Sequence, residues 1–334
     1  MLVYASIFHL EDESMYLKKI KNPELFQGNK KKDHYFEGWY FKAVSSNELY
    51  SVACIPGISV NKKDPHAFIQ VFISKEEHDD FSLKTHYYRF DSNEFKYSNE
   101  PFSIEIGENH FSKEILSLNL KDETMNVTGT LELRNIYSIK TSFLSPNIMG
   151  PFAYLGFMEC YHGVISMSHE VHGSLIVNEE TILFEKAKGY IEKDWGKSFP
   201  KQYIWIQSNH FKDSKTSFMF SYATIPFGIL SFKGLIANLL YNGKEIRFAT
   251  YNFSKIKLTD LKENEVKFRL KKGKYLLLAH AKSEKQIDLK SPNKGMMIDQ
   301  IKEGLSGWIQ IELYIKKKLV YKDIGYHAGI EIMM

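Results

Sequence analysis

Apolar and polar residues alternate one for one along most of this chain from about His34 to the C-terminus, and no stretch sustains the spacing of a long amphipathic helix. A period of two puts successive side chains on opposite faces of an extended strand. The pattern predicts an all-β fold of roughly sixteen short strands, among them "HYFEGWYFKAVS", "GVISMSHEVHGSLIV", "ILFEKAKGYIEK", "YIWIQSNHF" and "LVYKDIGYHAGIEI". That is too many for one small barrel. Two antiparallel β barrels or sandwiches packed together would accommodate them.

The clearest interruption is "SFLSPNIMGPFAY", Ser142 to Tyr154, which is rich in Pro, Gly, Ser and Asn and lacks alternation. A boundary there gives an irregular N-terminal segment over 1–30, a first β domain over 31–148 and a second over 149–334. Within the second, "SPNKGMMIDQIKEGL" reads as a short helix.

The formal charge of the 334 residues is only +4, and the basic residues are dispersed, so a nucleic-acid partner is not expected. Two cysteines, Cys54 and Cys160, support neither a disulfide framework nor a Cys-based zinc site. The N-terminus has no basic segment ahead of an apolar one, and no apolar run is long enough to cross a bilayer. A soluble, cytoplasmic protein is expected, with transient contact at a membrane surface where an apolar substrate is collected. Composition adds one positive signal: 24 Phe, 20 Tyr and 4 Trp favour strands and can line a ligand cavity.

Three strand faces mix aromatics with placed polar groups. In "GYIEKDWG", Tyr190, Glu192 and Asp194 share one side, and Ile191, Lys193 and Trp195 the other. In "QYIWIQSNHF", Tyr203, Trp205, Gln207, Asn209 and Phe211 fall together. In "HYFEGWYFKA", the set is Tyr35, Glu37, Trp39 and Phe41. Apolar walls with a few oriented polar atoms are what a small-molecule cavity needs. A carboxyl enclosed by aromatics has its ionised form disfavoured, so it can stay protonated and act as a general acid near neutrality. Were it to protonate an alkene, the faces of Trp, Tyr and Phe would stabilise the cation. The histidines of "YHGVISMSHEVHG" suggest a metal at first sight, but His169 and His172 are three apart and point to opposite faces of a strand. No metal is expected, and His169 reads foremost as a hydrogen-bonded core histidine. The HExxH, glycine-rich phosphate-loop and GxSxG patterns do not occur.

The ordered blocks "HYFEGWYFK", "PGISVNKKDPHAFIQVF", "GPFAYLGFMECYHGVISMSHEVHG", "GYIEKDWGKSFPKQYIWIQSNHF", "FATYNFSKI" and "GYHAGIEI" resemble the tocopherol cyclase family. The resemblance implies two lipocalin-like β barrels and an isomerase that protonates a prenyl double bond so that a quinol hydroxyl closes a chromanol ring, without a cofactor. It makes Glu37, Glu192 and Asp194 the candidate acids. Trp39, Trp195, Tyr203 and Trp205 become cavity walls, and Gln207, Asn209 and His169 orient the nucleophilic hydroxyl or accept its proton. The implied partner is a hydrophobic small molecule, a prenylated quinol or another isoprenoid lipid. Two alternatives stay open: a lipocalin-like carrier that binds an apolar ligand without turnover, and an acid-assisted isoprenoid hydratase.

Overall fold

The computed structural model describes residues 15–77, 80–227 and 230–334. Residues 1–14 of the expected irregular N-terminal segment lie outside the described residues; the remainder contains a short helix over 15–21 and a 3-10 turn at Gly28–Lys30. Beyond it the described chain is almost entirely strand, arranged as two large antiparallel sheets.

In the first sheet, Tyr35–Val44 lies between Tyr50–Val60 and Glu180–Gly196, and Cys160–Val177 follows on the far side of Glu180–Gly196. In the second, Tyr203–Ser208 lies between Ser217–Phe227 and Lys318–Met333, with Met296–Ile315 beyond. The chain passes from one sheet to the other between Gly196 and Tyr203. The strands Cys160–Val177 and Glu180–Gly196, which a boundary at 148/149 assigns to the second unit, therefore belong to the first sheet. The Pro- and Gly-rich stretch interrupts strand structure, but the two strands after it return to pair with Tyr35–Val44 and with the strand Val127–Tyr137.

Alternation sorts side chains into three cores. Trp39, Phe41 and Ala43 point into the first sheet's interior, and Ile204 and Ile206 into the second's. Tyr40, Tyr190, Tyr203 and Trp205, one residue out of phase, point into a third apolar layer between the sheets. Tyr35–Val44 and Tyr203–Ser208 are thus buried on both faces, which is why they carry large side chains at almost every position.

The helix expected in "SPNKGMMIDQIKEGL" is instead a hairpin between Ile287–Asn293 and Met296–Ile315. Lys294 and Gly295 turn it at φ of 48° and 80°, the positive φ that a two-residue hairpin loop demands. This places Glu303 on a strand facing the layer between the sheets.

Candidate active site

The inter-sheet layer holds a cavity walled by Tyr40, Phe68, Phe152, Phe199, Tyr203 and Trp205, and its polar lining includes four carboxyls and one imidazole. Directly opposed residues of neighbouring strands, whose Cβ atoms sit about 4.5–5.5 Å apart, build both halves. On the first sheet, Gly38, Asp194 and His162 form one cross-strand row, and Tyr40 faces Glu192. On the second, Trp205, Glu331 and Glu303 form another. Gly329, across from Gln207, leaves room for the indole: a Cβ there would lie 2.6 Å from Trp205.

Two hydrogen bonds stitch the halves together. Trp205 Nε1 of the second sheet donates to Glu192 Oε2 of the first at 3.2 Å, and Tyr40 Oη of the first donates to Glu303 Oε1 of the second at 2.7 Å. Glu192 Oε2 also accepts from Tyr190 Oη at 2.6 Å. Tyr203 Oη donates to Glu331, and Glu331 lies directly opposite Glu303 on the neighbouring strand.

Burial pushes Glu303 up to about 7, against the Tyr40 hydrogen bond and the Lys42 charge. Burial and then the neighbouring Glu303 charge hold Glu331 well above the usual carboxylate range. Two close carboxyls away from water cannot both ionise, so the pair retains a proton near neutrality. Around Glu192 and Asp194 the charge is met by His162. Its Nδ1 lies 2.9 Å from Asp194 Oδ1, and its Nε2 lies 3.4 Å from Glu192 Oε2 without hydrogen-bond alignment. Burial works against the imidazolium, but the Asp194 and Glu192 carboxylates outweigh it and hold His162 well above its ordinary value. The ligand atoms of His162, Glu192 and Asp194 also come within 4.8 Å of one another, a grouping that can hold a divalent cation.

Lys42 lies below the cavity on the same strand face as Tyr40. Its Nζ donates to Gln207 Oε1 at 2.9 Å and to the His327 carbonyl at 2.5 Å, and burial lowers it to about 7 despite Glu303 and Glu192.

Of the residues singled out in the sequence, Glu192, Asp194, Tyr203 and Trp205 line the cavity together. Gln207 shares their face and is engaged with Lys42; Asn209 has left the strand, and its amide caps the Gly189 carbonyl at 2.8 Å. Glu37 and Trp39 are not at the cavity, because the face they share points into the first sheet's interior. Glu37 forms a fully buried ion pair with Lys193 and accepts from Gln27 N, Gly28 N and Tyr35 Oη. Trp39 Nε1 donates to the Glu24 carbonyl, and Lys193 Nζ sits 4.6 Å from its ring centre. Trp195 faces away with Lys193 and stacks on Tyr161, itself a cavity residue. His169 lies inside the first sheet beside Phe41 and Leu116, hydrogen-bonded to Ser166 Oγ at 3.0 Å, and burial lowers it to about 3. It is a core histidine and cannot reach a ligand in the inter-sheet cavity.

Sequence reasoning missed Tyr40, His162, Glu303 and Glu331 as site residues. Strand parity held the signal for two of them: Tyr40 is out of phase with Trp39, and Glu331 shares alternate positions with Gly329 and Met333 in "HAGIEIM".

A family model described as tocopherol cyclase-like matches residues 147–333, more than half of the chain. The chain belongs to the tocopherol cyclase-like family. The matched stretch of this family member contains His162, Glu192, Asp194, Trp205, Glu303 and Glu331, whereas Tyr40 and Lys42 precede it. No curated protein sequence matches it. Solved structures similar to it include CghA bound to Sch210972, with 9% identity and a TM-score of 0.58, covering 90% of this chain and 88% of that one. Kievitone hydratase from Nectria haematococca has 13% identity and a TM-score of 0.50, covering 92% and 93%. A Nitrosomonas europaea protein assigned as AttH has 12% identity and a TM-score of 0.50, covering 90% and 93%. At such identities the likeness is one of fold: it extends over both sheets, well beyond the family match.

Proposed function

We propose that this family member is an acid-assisted isomerase, an intramolecular lyase that closes a chromanol-type ring on a prenylated quinol in the cavity between its two sheets. The observation that carries this reading is the Glu303–Glu331 pair: two carboxyls buried directly opposite each other at the wall of an aromatic cavity, where burial raises both above the usual carboxylate range.

The step balances within the site. Glu331, opposite Glu303, gives its proton to the less substituted carbon of the prenyl double bond; an O–H bond breaks, a C–H bond forms, and a tertiary cation is left. The faces of Trp205, Tyr40 and Tyr203 and the carboxylate left behind stabilise that cation. The quinol oxygen attacks it and forms the C–O bond. The hydroxyl proton passes to Glu192, which His162 and Asp194 support, and returns through the cavity to the Glu303–Glu331 pair. No electrons are gained or lost, so the reaction consumes no oxidant or reductant. On this reading Glu192 is the proton acceptor rather than the acid, Asp194 supports it through His162, and Glu37, paired with Lys193, is structural.

Incubation with a methylated phytyl quinol in deuterated water tests the proposal. Ring closure should place one solvent deuteron on the carbon beside the new ether carbon. Binding with no chromanol would make the protein a carrier, and a tertiary alcohol in place of the ring would make it a hydratase.

A further inference from the structure

The stretch 142–158 has two sides. Met149, Phe152 and Met158 face inward and line the cavity, whereas Phe143, Leu144 and Phe157 face outward and are 78%, 71% and 58% exposed. Contacts link Phe143 to another exposed aromatic: the Tyr154 ring lies 6.2 Å from that of Phe143 and its hydroxyl donates to the Phe143 carbonyl, and exposed Tyr16 donates to the Tyr154 carbonyl. Phe152 stacks on Phe232, two residues from exposed Leu230. Tyr251, another lining residue, donates to the Ile148 carbonyl, and Phe253 beside it is 90% exposed. Exposed apolar side chains therefore lie on the same segments that line the cavity. Isolated exposed apolar residues need no explanation, but several on the segment that lines a cavity do.

Lysines accompany these residues: Lys233 and Lys255 are exposed within two residues of Phe232 and Phe253, while the acids nearby are Glu159, two residues from Phe157, and Glu100, paired with Lys18. Aromatic and aliphatic side chains that can enter the headgroup region, bordered by lysines, form the composition that binds an anionic lipid surface.

We propose that this face docks on an anionic bilayer, with the cavity mouth turned to the lipid so that an apolar molecule passes from membrane to cavity without crossing water. The docking stands on the face itself; only the identity of the cargo rests on the function proposed above. Exposed apolar side chains contribute to such binding in proportion to the area they bury, and lysines add a salt-dependent attraction.

Co-sedimentation with vesicles of phosphatidylcholine alone, or with about one third phosphatidylglycerol, tests it. The full chain should bind the anionic vesicles, less so as salt rises, and the double variant Phe143→Ser/Leu144→Ser should bind at least about tenfold more weakly. Because both side chains are exposed, the variant should keep the thermal unfolding curve of the parent and its turnover of detergent-dispersed quinol. Absence of vesicle binding by the parent, or equal binding by the variant, overturns the proposal. Equal binding to neutral vesicles overturns its anionic part. Vesicle binding by a protein with no turnover in detergent leaves docking intact and counts against the ring closure alone.

Discussion

Glu303 and Glu331 face each other directly across the strands Met296–Ile315 and Lys318–Met333, and each accepts a hydrogen bond from a different phenol, Tyr40 from the first sheet and Tyr203 from the second. The pair is buried between the sheets, so the cost of ionising both carboxyls falls on the folded state. On the function proposed above, that relationship lets the inter-sheet layer store a proton as well as form a hydrophobic core.

Removing the stored proton should remove turnover. Glu331→Gln and Glu303→Gln are each expected to lower kcat by about 10²–10⁴-fold, the usual contribution of a positioned general acid. Quinol affinity, followed by quenching of tryptophan fluorescence, should change little, because the amide keeps the shape and most of the hydrogen bonds.

Stability should carry the signature of Glu303. Its value in the fold is about 7, raised from 4.5, so between these pH values the folded protein holds a proton that the unfolded chain has released. The contribution is fully present below the unfolded value and is lost as pH rises through about 7. At about 1.4 kcal/mol per unit this is at most about 3 kcal/mol. Urea denaturation should show the parent losing stability from pH 4.5 to 7 relative to Glu303→Gln, with the variant at least as stable at pH 8. The same titration predicts that kcat/KM falls as pH rises past neutrality.

Glu37 should behave quite differently. Glu37→Gln leaves Lys193 buried and without its counter-ion, which costs about 3–5 kcal/mol when a buried pair is broken from one side. Pairing it with Lys193→Met should recover much of that loss, and any protein that remains folded should cyclise the quinol at a near-normal kcat. Denaturation and turnover measured on the same samples separate this structural role from a chemical one.

Trp205 meets Glu192 through its indole nitrogen and presents its ring to the cavity. Trp205→Phe keeps an aromatic face and loses the hydrogen bond; Trp205→Leu loses both. A ring facing a desolvated cation contributes about 2 kcal/mol, so the Leu variant should fall roughly thirtyfold below the Phe variant in kcat, a gap that binding alone would not produce.

Much of this arrangement is legible in strand parity. The grouping of Tyr190, Glu192 and Asp194 on one side and of Tyr203, Trp205 and Gln207 on one side follows from a period of two. Parity assigns sides but not what lies on them. Glu37 and Trp39 share a face as expected, yet that face is the interior of the first sheet, and the cavity belongs to Tyr40. Glu331, between two isoleucines, has the pattern of a solvent-facing residue on an amphipathic strand, because a chain cannot announce that a second sheet covers its polar side. Glu303 was hidden by Met297, Ile301 and Leu305, whose four-residue spacing mimics a helical stripe. In Cys160–Val177, irregularities between Val164 and Ser166 and between Ser166 and His169 break the count. Met167 consequently faces the inter-sheet layer while Ile165 and His169 face the first sheet's interior.

Infrared difference spectroscopy of the protein in deuterated buffer tests most directly whether the cavity carries a protonated acid. A carboxylic C=O stretch should be present at pH 6, fade as pH rises past about 7, and be absent from the Glu303→Gln/Glu331→Gln double variant. A parent spectrum with no such band at pH 6, or a band that survives in the double variant, would contradict the account.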